Sequence, residues 1–260
     1  MVLELLRGED FQRVLRRLGP LDPALALRVT AQTCLGLSSA HEAKIIHRDI
    51  KPANIFLSEL EGGERLVKVL DFGVAKIRRD AADNSSSSNL TQTGSILGSP
   101  LYMSPEQARS VKNVDERADV WSVGVVLYQA LAGRTPFNHI AGLGDLLIAL
   151  SSEPPPPVQQ FAPWVSPEIA ALLDRALRID VRERFQSAGE MFEAVSAMLP
   201  EGITIHESML VRLPAEQRER TASTYFRRID TAPRPQARAF DHDGGPKPRA
   251  ARAFDHDGAA

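Results

Sequence analysis

Two short stretches decide the fold: HRDIKPAN at residues 47–54 and DFG at residues 71–73. Between them lie two β-prone runs, residues 54–57 and 67–70, which are separated by a polar segment containing two glycines. Runs of this kind on either side of a glycine-containing segment predict a β-hairpin. Because a hairpin folds back on itself, both motifs should emerge at the same end of it, with their polar side chains around one small volume.

The polar residues of these two motifs suit phosphoryl transfer. Asn54 and Asp71 offer oxygen donors, the ligands that Mg²⁺ prefers. Lys51 can neutralise charge on a transferred group, and Asp49 can orient a hydroxyl group and accept its proton. We therefore predict Asp49 and Lys51 as catalytic residues, and Asn54 and Asp71 as ligands of the metal and its nucleotide.

Four further motifs follow in a fixed order: SPE at 104–106, DVWSVGVVLY at 119–128, GRTPF at 133–137 and RIDVRERFQS at 178–187. Together with the first two motifs, they resemble the signature set of the protein kinases. Two positions differ from the usual pattern, with Ile50 in place of leucine and Ser104 in place of alanine. Lys51 resembles the serine/threonine branch, and the whole is similar to the eukaryotic-like, bacterial-type serine/threonine protein kinases.

The resemblance implies an α+β fold, the large lobe of a protein kinase, mainly α-helical with a short β-hairpin at the active site. It covers residues 1–200, where MVLELLRGED resembles the last small-lobe strand running into the hinge. The family's glycine-rich loop and strand lysine would precede this strand, so we expect the small lobe to be missing. Residues 201–260, in which ARAFDHDG occurs twice, are expected to be a low-complexity, disordered tail.

ATP and Mg²⁺ are the cofactors that the resemblance implies, and the partners are protein substrates with Ser or Thr hydroxyls. The backbone groups of Glu4 and Leu6 would bond the adenine edge, and Phe56 would lie under the ring. The remaining carried-over residues are structural. His47 would pack beneath Phe72, Asp119 would cap the backbone of the catalytic loop, and a buried ion pair would join two further residues, Glu106 and Arg184.

Residues 74–103 resemble an activation segment, and Arg48 beside Asp49 resembles the arginine of kinases that phosphorylation controls. A phosphate on the segment could pair with such an arginine and order the loop. Thr91 and Thr93 are the predicted regulatory sites, followed by Ser95. The alternative is a polar loop whose hydroxyl groups are incidental.

Local signals predict three helix starts. Asp22 followed by Pro23 resembles an N-cap with proline at the first helical position, opening a helix to about residue 41 that buries Cys34. Ser166 before Pro167 repeats this pattern. Ser187 with a glutamate three residues later predicts a capping box.

Composition restricts the partners and the setting. The chain has 31 Lys and Arg against 33 Asp and Glu, a net charge of −2, so no global field draws it to nucleic acid. The single Cys34 excludes an intrachain disulfide and fits a reducing, cytoplasmic setting. The most apolar stretch, residues 120–132, is shorter than the ~20 residues of a membrane span. The oligomeric state stays open.

Two function classes remain. The first is a serine/threonine protein kinase, in which case these 260 residues would not be active by themselves because the small lobe is missing. The second is a non-catalytic, kinase-like binding or scaffold module. Asp49, Lys51, Asn54 and Asp71 occur together, which favours an enzymatic origin, because a scaffold needs none of them.

Overall fold

A computed structural model describes residues 5–72, 99–111 and 114–216. These ranges form seven α-helices and one small antiparallel sheet, as the predicted α+β class requires. The helices, α1 to α7, are Phe11–Leu18, Pro23–Glu42, Pro105–Ala108, Arg117–Ala132, Leu143–Ser152, Pro167–Ala176 and Ala188–Ser196. The strands, β1 to β4, are Gly8–Asp10, Ile55–Glu59, Glu64–Val69 and Ile205–His206, and they neighbour one another in that order.

The helix starts follow the predicted caps. The Asp22 carboxylate accepts a hydrogen bond from the backbone N–H of Ala24 at 2.9 Å, with Pro23 opening α2. Ser166 caps α6 in the same way. The capping box at α7 is only half formed. Ser187 accepts from the Glu190 N–H, but the Glu190 carboxylate accepts from the backbone of Gln186 and is held by an arginine of α6.

The core lies around α2 and α4, which pack against each other and against α7, and α2 also packs against the sheet. Helix α4 is buried along nearly its whole length and has no polar face, the pattern of a central helix. Cys34 is fully buried in α2, as predicted. Burying one large aliphatic or aromatic side chain stabilises a fold by about 1.5–3 kcal/mol. The many buried side chains of this core therefore make α2 and α4 a stable support for the loops attached to them.

The predicted hairpin is confirmed. Strands β2 and β3 pair antiparallel from Ile55↔Val69 to Glu59↔Arg65. The turn between them contains Gly62 at φ +78°, a backbone conformation that glycine adopts without strain. At the other end, the two motifs meet.

The first strand requires its glycine. Gly8 has φ +136° and pairs with Ser58 of β2, and a Cβ atom at this position would lie 2.1 Å from the carbonyl oxygen of Leu57. No other residue type fits so close to the neighbouring strand. The close approach places the residues before β1 beside β2.

Secondary structure and buried residues continue past the predicted boundary at residue 200. Strand β4 pairs with β3, and Leu210 and Leu213 are buried. The prediction of a disordered tail therefore does not describe residues 201–216, and residues 217–260 lie outside the described part of the chain.

Buried polar side chains of α2 hold this extension. Arg28, only 4% exposed, donates to the carbonyl oxygens of Gly202 and Thr204. Gln32 donates to a carbonyl of the extension and accepts from the N–H of Val67 in β3, both at 2.8 Å. Arg28 and Gln32 thus satisfy backbone hydrogen-bonding groups that the short pairing of β3 with β4 leaves without partners. Composition alone could not predict these contacts.

Across the described ranges, no helix has both the length and the apolar character needed to cross a membrane.

Candidate active site

Three of the predicted site residues meet at the loop before β2. The ammonium group of Lys51 lies 2.8 Å from Oδ2 of Asp49, and both side chains are about a quarter exposed, at 26% and 23%. The side-chain amide of Asn54 donates to the backbone carbonyl of Asp49 at 2.9 Å. These contacts fix the Asp49 side chain while leaving it within reach of solvent and ligands.

Asp71 reaches the same end of the hairpin. The backbone N–H of Leu70 donates to the Asn54 carbonyl at 2.8 Å, so the residue after Leu70 stands beside the loop. Asp71 is exposed and has φ +53°, a left-handed conformation that is unfavourable for most non-glycine residues but that aspartate tolerates better than most.

The donor set at this end fits Mg²⁺. The Asn54 amide nitrogen is used by Asp49, and none of the described residues donates to the Asn54 side-chain oxygen. This oxygen and the Asp71 carboxylate are two hard donors, and no group of three or more Asp, Glu, His or Cys side chains occurs in the described ranges. Mg²⁺ commonly takes one or two protein ligands, with phosphate oxygens and water completing its coordination.

His47 joins the two motifs. Its Nδ1 accepts from the backbone N–H of Asp49 at 3.2 Å, and its Nε2 lies 2.8 Å from the carbonyl of Leu70. Because a carbonyl can only accept, the contact with Leu70 requires a proton on Nε2 of the ring. The ring lies 4.9 Å from that of Phe72, the predicted neighbour. His47 therefore connects the catalytic-loop backbone to the end of β3.

Asp119 holds the backbone of the loop from below. It is fully buried at the start of α4, and its carboxylate accepts from the backbone N–H groups of His47 at 2.9 Å and Arg48 at 2.8 Å. Arg48 has φ +64°, so this strained turn depends on the two bonds. A third donor is the ring of His41, 2.8 Å from Oδ2, if its Nε2 carries the proton.

His41 and Gln107 are positioning residues that sequence reasoning missed. His41 lies in the last turn of α2, directly before the loop, and this place in the sequence is the signal that could have found it. Gln107 completes a capping box with Ser104 at α3, and its amide donates to the carbonyl of Arg48 at 3.0 Å. Gln107 thus ties α3 directly to the loop backbone, whereas His41 ties α2 to Asp119, the residue that holds that backbone.

Glu106 and Arg184 form a bidentate ion pair, with both N–O distances at 2.8 Å. Arg184 is 1% exposed and also donates to three backbone carbonyls, while its guanidinium carbon lies 5.0 Å from the centre of the Trp121 ring. The pair links α3 to the turn before α7. Its buried charges are fully hydrogen-bonded, the condition for such a pair to be tolerated in a core.

The model of the protein kinase domain family matches residues 1–195, most of this chain. This chain belongs to the protein kinase family. It is 37% identical over 238 residues to serine/threonine-protein kinase pkn3 of Myxococcus xanthus, covering 91% of this chain and 38% of the relative. With serine/threonine-protein kinase PknB of Mycolicibacterium smegmatis the identity is 36% over 231 residues, covering 84% and 34%. The chain thus spans about a third of the length of these curated relatives.

The remaining predicted residues of this kinase domain are placed only in part. Phe56 is half-buried on β2, opposite Asp10, and Leu6 lies partly buried just before β1. Arg48 has a buried Nε with no hydrogen-bond partner in the described part of the chain. The other predicted nucleotide and regulatory residues lie outside the described residues: Glu4, Thr91, Thr93 and Ser95.

Proposed function

We propose that this protein is a serine/threonine protein kinase, which transfers the γ-phosphate of ATP to Ser or Thr hydroxyl groups of protein substrates. The observation that carries the proposal is the cluster of Asp49, Lys51 and Asn54 beside Asp71, built on a backbone that Asp119 and His47 hold. Membership of the family and the names of the relatives support it.

Asp49 has the contacts that proton acceptance requires. Its carboxylate is partly exposed, so that an incoming hydroxyl can reach it, and Lys51 stands at 2.8 Å to offset negative charge at the transfer site. Tyr102, Met103 and Gln107, among others, line the surface beside Asp49 where an acceptor hydroxyl would approach. Rate enhancement then comes from orientation and from fixed charges, the main sources in phosphoryl transfer.

Asn54 and Asp71 would hold Mg²⁺ through one amide and one carboxylate oxygen. When bound, the metal supplies positive charge to the phosphate oxygens. On the nucleotide side, we assign the adenine edge to the backbones of Glu4 and Leu6 and the ring's lower face to Phe56. The position of Leu6 before β1 and of Phe56 on the adjacent strand supports this assignment.

Residues 1–200 are proposed as the hinge and large lobe, since the helices and hairpin follow the order that the motifs imply. Regulation is assigned to Arg48, whose buried Nε suits a phosphate on Thr91, Thr93 or Ser95. The single, buried Cys34 supports a reducing, cytoplasmic setting.

The test compares Asp49→Ala with Asp71→Ala in the protein at its natural length, purified from its own cells. Both variants should lose radiolabelled phosphate transfer from Mg-ATP. Nucleotide titration should separate them, because Asp71→Ala removes a metal ligand and weakens Mg-ATP binding, whereas Asp49→Ala removes only the group that serves the acceptor hydroxyl.

Equal loss of Mg-ATP affinity in both variants would contradict this division of roles. An unsubstituted protein that binds protein partners but transfers no phosphate would favour the second candidate, a non-catalytic scaffold. Glu193→Gln, an exposed carboxylate of α7, is the matched control and should leave transfer unchanged.

A further inference from the structure

A cavity of about 340 Å³ lies at the end of α4 far from the active site. Tyr128 forms part of its wall and stands nine positions after Asp119 on the same helix, which at about 1.5 Å per residue is roughly 13 Å along the axis. Ligand pockets range upward from about 300 Å³, so the cavity is large enough for a side chain or a small ligand. No residue assigned to phosphoryl transfer lines it.

The walls suit a hydrocarbon chain. Three of the four consecutive prolines, residues 154–156, line the cavity together with Val158, Leu173 and Leu177, which are buried beneath the surface. A straight aliphatic stem packs well between such surfaces, and long cationic side chains bury their stems in this way while keeping the charge near water.

The Tyr128 hydroxyl lacks a hydrogen-bond partner among the residues that the structure describes. Tyr128 is 1% exposed, and its buried oxygen has no hydrogen bond to any described residue. Burial raises the pKa of Tyr128, so the group stays a neutral hydroxyl that can both accept and donate a hydrogen bond. Buried polar groups are normally paired, and an occupant of the adjoining cavity could supply the missing partner.

The charged residues of the cavity lining are mostly acidic. Asp174, Asp180 and Glu183 stand against a single cation, Arg178. Asp180 is bound by the neighbouring Arg182, and Arg178 lies 3.8 Å from Glu183. Asp174 is exposed and has neither an ion pair nor a hydrogen bond within the described ranges. With Asp180 and Glu183 paired inside the chain, Asp174 is the carboxylate of this lining that remains for a cation.

We propose that this cavity binds an arginine side chain presented by a peptide segment of a partner protein. The stem would lie along the prolines, and the guanidinium group would donate to Asp174 and to the Tyr128 hydroxyl. Arginine fits better than lysine because its five N–H donors can serve a carboxylate and a second acceptor at once. The proposal goes beyond phosphoryl transfer and does not depend on it.

The test measures fluorescence anisotropy of a labelled peptide, Gly-Ala-Leu-Arg-Ala-Gly-amide, against the 260-residue chain. The control peptide carries citrulline, which has the same shape as arginine but no charge. We expect the arginine peptide to bind about tenfold more tightly than the citrulline peptide. Asp174→Asn should weaken arginine-peptide binding about tenfold, and Tyr128→Phe severalfold, whereas Glu193→Gln, an equal charge change on α7, should not affect it.

Both substitutions should leave the thermal unfolding temperature close to that of the unsubstituted chain, since Asp174 is exposed and the Tyr128 hydroxyl has no partner to lose. Equal affinity for the arginine and citrulline peptides would overturn the proposal, as would unchanged binding in Asp174→Asn. An equal loss in Glu193→Gln would indicate general charge attraction instead. Competition by free L-arginine at the same concentration as the peptide would assign the cavity to a small molecule.

Discussion

Asp49 belongs to the catalytic loop and Asp119, at the start of α4, bonds the backbone of that loop, yet the surroundings of the two carboxylates are opposite. Asp119 is 0% exposed and accepts from two backbone N–H groups, beside the His41 ring, whereas the Asp49 side chain is 23% exposed and has Lys51 beside it. Burial closes the first carboxylate to any ligand. The second keeps a side open to one.

The two positively charged residues Arg184 and Lys51 differ in the same way, one buried and the other partly exposed. Arg184 uses its guanidinium group on Glu106 and three carbonyls, inside the protein. Lys51 stays at the surface of the site, where its charge can meet a phosphoryl group. The comparison shows that buried charged residues with several hydrogen bonds each, Asp119 and Arg184, support the site in this kinase domain. The proposed reacting groups, Asp49 and Lys51, are separate from them. Substitutions in the buried set should cost stability, and those in the exposed set should cost activity.

Arg184→Met should have the largest effect on stability. The substitution leaves Glu106 buried without its partner, and breaking a buried ion pair in this way typically costs 3–5 kcal/mol, so we expect about that loss in the free energy of unfolding. Urea unfolding followed by circular dichroism measures it. The matched control is Arg182→Met, two positions away, whose side chain is 86% exposed and should change stability little.

Similar unfolding curves for these two variants would break the comparison, because they would show that burial and saturation of the charge do not matter here.

His41→Ala should have a smaller effect. It removes one hydrogen bond to the charged Asp119, and bonds to charged groups are worth about 1.5–3 kcal/mol each. His139→Ala changes an exposed histidine and serves as the control. Coinciding urea midpoints for the two variants would show that His41 does not belong to the buried charges and donors that support the loop. A lower urea midpoint for His41→Ala alone would show that it does.

The motifs predicted much of the site, and particular contacts explain where sequence reasoning stopped. The hairpin could be predicted because β-prone runs and glycines are local signals. The extension at residues 201–206 could not, because it depends on Arg28 and Gln32, which contact it across about 170 positions of sequence. His41 and Gln107 were missed for the same reason, since their partners are set by helix packing.

The buried thiol of Cys34 should resist reagents in the solvent. Burial raises the pKa of the Cys34 thiol to about 12, so it stays protonated in the folded chain. In the unfolded chain the thiol ionises near pH 8.5, so its contribution to stability is lost as the pH rises from about 8.5 toward 12. Ellman's reagent at pH 8 should leave Cys34 unmodified until urea unfolds the protein.

Rapid modification of the folded chain at pH 8 would show instead that α2 opens readily and that its core is not the rigid support described above.

The most direct test of the division is urea unfolding of Asp119→Asn beside Asp49→Asn, the same chemical change at the buried and at the partly exposed carboxylate. An asparagine at 119 has one acceptor oxygen for its donors, so we expect a loss of roughly 2–4 kcal/mol. Asp49→Asn should stay within about 0.5 kcal/mol of the unsubstituted protein. Equal losses in the two variants, or a larger loss for Asp49→Asn, would contradict the separation of supporting from reacting charges.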